Sequence, residues 1–104
     1  MKHLLTILAI LLTLTIQAQW SYSGNRYWTP NGNTASGDYS TAMGYFTKAT
    51  GDYSTAMGTQ TTASAYFSTA LGASTIASGR YSTAMGISSI ASDFASTVIG
   101  QYNL

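Results

Sequence analysis

Apolar and polar residues follow a short pattern that recurs every 14 residues from Ala35 to Leu104. The first copy is ASGDYSTAMGYFTK, in which an aromatic residue precedes Ser-Thr-Ala-Met and a glycine. Four further copies follow it without an insertion or a deletion. A fixed period indicates stacked structural units, because an insertion would break the register between neighbours. The pattern therefore predicts a solenoid of five coils.

Within each copy, numbered 1 to 14 from its alanine, positions 5 to 9 are rich in aromatic and β-branched residues and are followed by glycine. This predicts a short strand closed by a turn, with a second corner at position 3 and a weaker strand from about position 11 into the next position 1. Alternate residues of a strand share a face, so positions 5, 7 and 9 form a large face and positions 6 and 8 a small one. The predicted turn glycines are Gly44, Gly58, Gly72, Gly86 and Gly100.

The large face needs a partner, because a coil of 14 residues encloses little interior. The chain contains no cysteine, so disulfides do not stabilise it. Small domains without such cross-links are often stabilised by oligomerisation. We therefore expect an all-β homo-oligomer in which the rods pack side by side through this face.

The first 18 residues differ in composition from the rest. A basic start precedes the apolar run Leu4–Ile16, which is short for a membrane span and typical of a secretory signal peptide, with cleavage expected after Ala18. We therefore expect the chain to be exported. The mature charge is 3 − 3 = 0, which predicts no binding to nucleic acid and no direct insertion into a membrane. The charged residues are Arg26, Lys48, Arg80, Asp38, Asp52 and Asp93.

The residue types favour neither catalysis nor metal binding. The single histidine, His3, lies in the predicted signal peptide, and the three aspartates form no pair suited to acid–base chemistry. Nucleophilic and metal sites generally draw on cysteine, histidine or clustered carboxylates. The sequence therefore predicts no catalytic, cofactor or metal site, and a protein that is not an enzyme.

Residues 19–34 lie between the signal peptide and the repeats, and we do not expect them to form a further copy. The segment contains an Asn-Gly-Asn turn signal and a cluster of aromatic residues. It either caps the exposed edge of the first coil or forms a tip that contacts a ligand. The candidate ligand-facing residues are Trp20, Tyr22, Tyr27 and Trp28.

The repeat Ser-Thr-Ala-apolar-Gly at 14-residue spacing resembles the head repeats of trimeric autotransporter adhesins, the YadA-like head, whose unit is Asn-Ser-Val-Ala-Ile-Gly. The resemblance covers residues 35–104 and implies a left-handed parallel β-roll, three of which form a homotrimer. It departs from the family where an aromatic residue replaces Asn and where Thr replaces the first apolar residue. The implied inward, trimer-packing columns are Thr41, Thr55, Thr69, Thr83 and Thr97 together with Met43, Met57, Leu71, Met85 and Ile99.

The resemblance implies adhesion to a host matrix protein, another surface or another cell, without a cofactor. The repeats end at Leu104 without a neck, stalk or membrane barrel, so we expect the leading part of a longer protein of the cell surface or outer membrane, or else a short secreted relative. Two other functions are compatible with the pattern. Its threonine files suggest an ice-binding solenoid, with Thr47, Thr61 and Thr75 in a second file, and the rod could be a passive spacer.

Overall fold

The computed structural model describes His3 and residues 21–23, 26–28 and 32–103. The predicted signal peptide lies outside the described residues apart from His3, and so does Trp20. From residue 21 onward the regular structure in the described part is β-strand. The prediction of an all-β chain is therefore confirmed for this part.

The repeats contain one five-residue strand and one two-residue strand per coil. The long strands are β4 (Thr41–Tyr45), β6 (Thr55–Thr59), β8 (Thr69–Ala73), β10 (Thr83–Ile87) and β12 (Thr97–Gln101). The short strands are β3 (Thr34–Ala35), β5 (Lys48–Ala49), β7 (Thr62–Ala63), β9 (Ile76–Ala77) and β11 (Ile90–Ala91). Two strands precede the repeats, β1 (Ser21–Ser23) and β2 (Arg26–Trp28).

The strands form two parallel sheets that run the length of the repeats. The long strands stack in the order β2-β4-β6-β8-β10-β12, with β1 antiparallel at the outer edge of β2, and the short strands stack from β3 to β11. Each residue pairs with the residue 14 positions away, as Thr41 does with Thr55 and Met43 with Met57. This is a parallel β-solenoid of five coils, as the fixed period predicts.

The interior of the solenoid is filled by small side chains. Along each long strand up to β10, residues 7 and 9 are half-buried while residue 8 is fully buried. Small residues suit this position, because the two sheets of so short a coil lie close together. The fully buried residues are Ala42, Ala49, Ala56, Ala63, Ala70, Ala77, Ala84 and Ala91, with Ser40, Thr47, Ser54, Thr61, Ser68, Thr75, Ser82 and Ser89.

Both corners of each coil are formed by a residue with positive φ. At position 5, Tyr53 has a φ of 58° and donates its backbone N–H to the carbonyl oxygen of Asp38 in the preceding coil at 2.7 Å. At position 12, Gln60 has a φ of 56° and donates in the same way to Tyr45 at 2.8 Å. The left-handed conformation therefore keeps each corner within the ladder between coils.

The position of the corners corrects two predictions from the sequence. The aromatic residue of position 5 belongs to a corner, and the strand begins two residues later. The repeated glycine is the fourth residue of the long strand and not the corner residue. Glycine is required there because Gly58 has a φ of 121° and an added Cβ would lie 2.0 Å from the carbonyl oxygen of Gly72. The glycines concerned are Gly44, Gly58, Gly72, Gly86 and Gly100.

The segment before the repeats continues the solenoid. Tyr27 pairs with Thr41 and Thr34 pairs with Lys48, each at the 14-residue register. Gly32 has a φ of 75° and takes the corner position of Phe46 one coil earlier. The expectation that residues 19–34 form no further copy is therefore wrong for the backbone from residue 26 onward, which forms a partial sixth coil on the edge of the first.

Candidate functional site

The outer face of the long sheet carries the columns that the resemblance assigns to trimer packing. Thr55 and Met57 are half-buried and point away from the interior, which Ala56 occupies. In the last coil the same column is more open, since Ile99 is 62% exposed. The face is a regular array of threonine methyl groups and longer apolar side chains, in register over five coils. Its residues are Thr41, Met43, Thr55, Met57, Thr69, Leu71, Thr83, Met85, Thr97 and Ile99.

A ladder of stacked rings runs along the position-5 corner, and sequence reasoning missed it. Tyr39 stacks on Tyr53 with ring centroids 5.0 Å apart and planes 8° apart. Phe67 lies 4.7 Å from Tyr53 and 5.5 Å from Tyr81, again nearly parallel. We call these four residues the aromatic ladder. Each of them is 43–54% exposed, so the ring edges line the outer surface. The signal in the sequence was the aromatic residue repeated at one position of a parallel register.

Beside the aromatic ladder, position 4 places different groups in successive coils. Tyr66 packs edge-on against Phe67 at 4.7 Å, and Arg80 holds its guanidinium 5.6 Å from the centre of the Tyr66 ring. One coil before Tyr66, the Asp52 carboxylate accepts a hydrogen bond from the backbone N–H of Asp38 at 2.9 Å. The corner therefore combines exposed rings with charged groups that are held in place by their neighbours.

The position-12 corner has a smaller aromatic pair. Tyr45 and Phe46 meet edge to face with centroids 4.6 Å apart, and both are about half exposed. The next coils carry Thr59 with Gln60 and Ala73 with Ser74 at the same positions. This corner therefore has no continuous ladder in the described coils.

The N-terminal aromatic residues can be located only by their backbone. Tyr22 pairs with Tyr27 across the β1–β2 hairpin, and Trp28 pairs with Ala42 of the first coil. The side chains of these strands and the whole of Trp20 lie outside the described residues. Their role in contacting a ligand stays a prediction.

The second threonine file of the ice-binding hypothesis lies inside the coil. Thr47, Thr61 and Thr75 are fully buried. An ice-binding surface has to present its hydroxyl and methyl groups to water, so this file cannot contribute to one. Only the file at position 7, including Thr41 and Thr55, lies on an outer face.

Two further searches of the described residues concern chemistry and membrane insertion. In residue 3 and the described ranges from 21 to 103, no three His, Cys, Asp or Glu side chains cluster as a metal site would require. Within the same ranges, no helix has the length and apolar character that crossing a membrane requires.

Comparison with known protein families gives one match, which covers the repeats. The matched family is the YadA head domain repeat, over residues 31–47, 35–60, 49–75 and 77–103. No curated protein and no solved structure was found to match the chain. The match begins at residue 31, within the partial sixth coil, and the 14-residue solenoid accounts for it throughout. The chain therefore belongs to the YadA head family, and residues 31–103 form a YadA-like head domain of the trimeric autotransporter adhesin type.

Proposed function

We propose that this chain is the non-catalytic head of an exported, surface-displayed adhesin, and that it acts as a homotrimer. The observation that supports this best is the outer face of the long sheet, where an in-register apolar array is left half-exposed in a single chain. Such an array is typical of a surface that packs against another chain. The chain attaches to a matrix protein, another surface or another cell through its remaining outer surfaces.

Packing within the trimer uses the columns at positions 7 and 9. Met57 pairs with Leu71 and Thr55 with Thr69 in the ladder, so each column is straight and presents one residue per coil. Three such faces around one axis would cover the apolar side chains that a single coil is too small to enclose. The left-handed winding of the coils belongs to the same proposal and comes from the family resemblance.

The oligomer is tested by measuring the mass of the full chain in solution with light scattering. We expect a trimer, and we expect a double Met57→Asp, Leu71→Asp variant to lose it, because charges would replace the half-buried packing residues. The matched control is Thr62→Asp with Ile76→Asp, in the same coils but on the outer face of the short sheet. A wild-type monomer, or a charged double variant that stays trimeric, would contradict the proposed packing.

Adhesion is tested with beads that carry the full chain, bound to immobilised extracellular matrix proteins and to cell layers. An exposed aromatic surface supports attachment, because exposed aromatic side chains often dominate recognition energetically. We expect retention of the beads well above that of beads coated with an unrelated neutral protein. Beads that are trimeric in coating yet bind no matrix protein, surface or cell would instead indicate a passive spacer.

A further inference from the structure

The corner that carries the aromatic ladder is also where the charges of the repeats are concentrated. Residues 32–103 contain five charged side chains, and four of them lie at positions 3 and 4 beside this ladder, the exception being Lys48. These four residues are Asp38, Asp52, Arg80 and Asp93. Whatever contacts this corner therefore meets exposed rings and charged groups together.

The charges are arranged with opposite signs on either side of Tyr66. Asp52 precedes Tyr66 by one coil and Arg80 follows it by one coil, so the two lie two coil spacings, about 10 Å, apart on one column. This separation is too great for the two side chains to pair directly within one chain. Both are exposed, and each is held by a neighbour, Asp52 through the N–H of Asp38 and Arg80 over the Tyr66 ring.

We propose that this corner binds the same corner of a second copy of the chain, with the two solenoids antiparallel. A two-fold axis through Tyr66 brings Asp52 of each copy opposite Arg80 of the other, which forms two ion pairs. The same axis places Phe67 against its own equivalent and Tyr53 opposite Tyr81. A parallel arrangement is disfavoured, because it would place Asp52 opposite Asp52.

The contact is self-complementary in its rings as well as in its charges. Tyr53, Phe67 and Tyr81 are each 43–48% exposed, so an antiparallel copy would cover ring edges that water now surrounds. At the ends of the strip Asp38 lies opposite Phe94 and near Asp93 of the second copy, which is a like-charge contact at the rim. The two central ion pairs therefore select the register.

This proposal rests on the proposed adhesive function and identifies the partner as another head, presented from a facing surface. Two heads that project from opposed surfaces meet in antiparallel orientation, which is the orientation that the charges favour. Many weak contacts between two coated surfaces add up through multivalency. A pair of exposed ion pairs beside an aromatic strip is sufficient for such an interaction.

The test uses beads of two colours that carry the full chain tethered at Leu104. Wild-type beads are expected to co-aggregate. Asp52→Arg beads alone and Arg80→Asp beads alone are expected to aggregate about tenfold less, because each change places like charges opposite each other twice. Mixing the two variants restores both pairs, so mixed-colour aggregates should return. The double variant D52R with R80D should also aggregate like wild type.

A control separates paired charges from net charge. Lys48→Asp changes the net charge as Arg80→Asp does, but on the other side of the coil. Lys48→Asp beads should therefore aggregate normally alone and should not rescue Asp52→Arg beads. Single variants that aggregate like wild type, or a mixture without rescue, would overturn the proposed contact.

The same beads distinguish this inference from the proposed function. Wild-type beads that bind matrix proteins or cells but not one another would overturn the self-association and leave the adhesin function intact. Wild-type beads that bind neither a foreign surface nor one another would contradict both. Circular dichroism of each variant verifies that the exposed substitutions leave the fold unchanged.

Discussion

Asn33 closes the hydrogen-bonding ladder at the N-terminal end of the buried threonine column by bonding twice to Thr47. Its Oδ1 accepts from the backbone N–H and from the Oγ1 of Thr47, both at 2.8 Å, while its Nδ2 donates to the carbonyl oxygen of Gly44. Asn33 lies 14 residues before Thr47 and occupies the place of a threonine in the partial sixth coil. One amide side chain thus joins this coil to both the strand and the corner of the next.

Replacing Asn33 by Leu should destabilise the head by about 2–4 kcal/mol, because it leaves two buried donors of Thr47 without their acceptor. Urea unfolding monitored by circular dichroism, at one fixed protein concentration, measures the change. Asn33→Thr restores the residue that the other coils carry and should lose less than Asn33→Leu. Equal losses for the two variants would show that the amide bonds contribute little.

Thr61→Val should stabilise the solenoid by about 1 kcal/mol. The Oγ1 of Thr61 is buried and has no hydrogen-bond partner within the described part of the chain. A methyl group in its place removes the cost of burying an unpaired hydroxyl. The control is Thr47→Val, which removes the bond to Asn33 and should lower the urea midpoint. A lower midpoint for Thr61→Val would contradict this account of the interior.

Gly58→Ala should destabilise the head by about 3 kcal/mol or more, because the new Cβ meets the Gly72 carbonyl and the backbone φ is unfavourable for alanine. The adjacent Thr59→Ala, at an exposed position of the same strand, should change stability by less than about 0.5 kcal/mol. Thermal unfolding of the two variants side by side measures the difference. Similar melting temperatures would argue against close contact of the coils at Gly58.

The aromatic ladder predicts a graded response to asparagine, which tolerates positive φ better than tyrosine does. Tyr53→Asn removes two stacked contacts, each of about 0.5–1.5 kcal/mol, and should destabilise the head. Tyr39→Asn removes one such contact in the described chain and should be closer to neutral. Ala95→Asn removes none and should be neutral or stabilising. Unfolding midpoints in the reverse order would contradict the stacking.

The register of the solenoid could be predicted from the sequence, whereas its corners could not. Equal coil lengths are required for a parallel ladder, so the pairing of Thr41 with Thr55 follows from the period alone. Tyr39 and its equivalents are typical strand residues by propensity, and positive φ is rare for them. Their conformation is imposed by the ladder between coils, which is a tertiary effect that local preference does not contain.

The partial sixth coil shows a second limit of sequence reasoning. Tyr27 and Trp28 stand where the repeats have Thr and Ala, so the strand pattern is lost while the backbone register persists. Gly32, at the position of Phe46, was the remaining signal, because glycine readily adopts the positive φ of that corner. The aromatic ladder, in turn, became visible only when the corner placed the rings above one another.

The ladder between coils also determines how the head responds to mechanical load. Its hydrogen bonds point along the axis of the solenoid, so tension between the two ends acts directly along them. The terminal coil has a neighbour on one side only and should therefore peel away first, followed by the next. Each coil that opens releases 14 residues, or about 45–50 Å of extended chain. A head under tension would lengthen in equal steps and so absorb work before the attachment breaks.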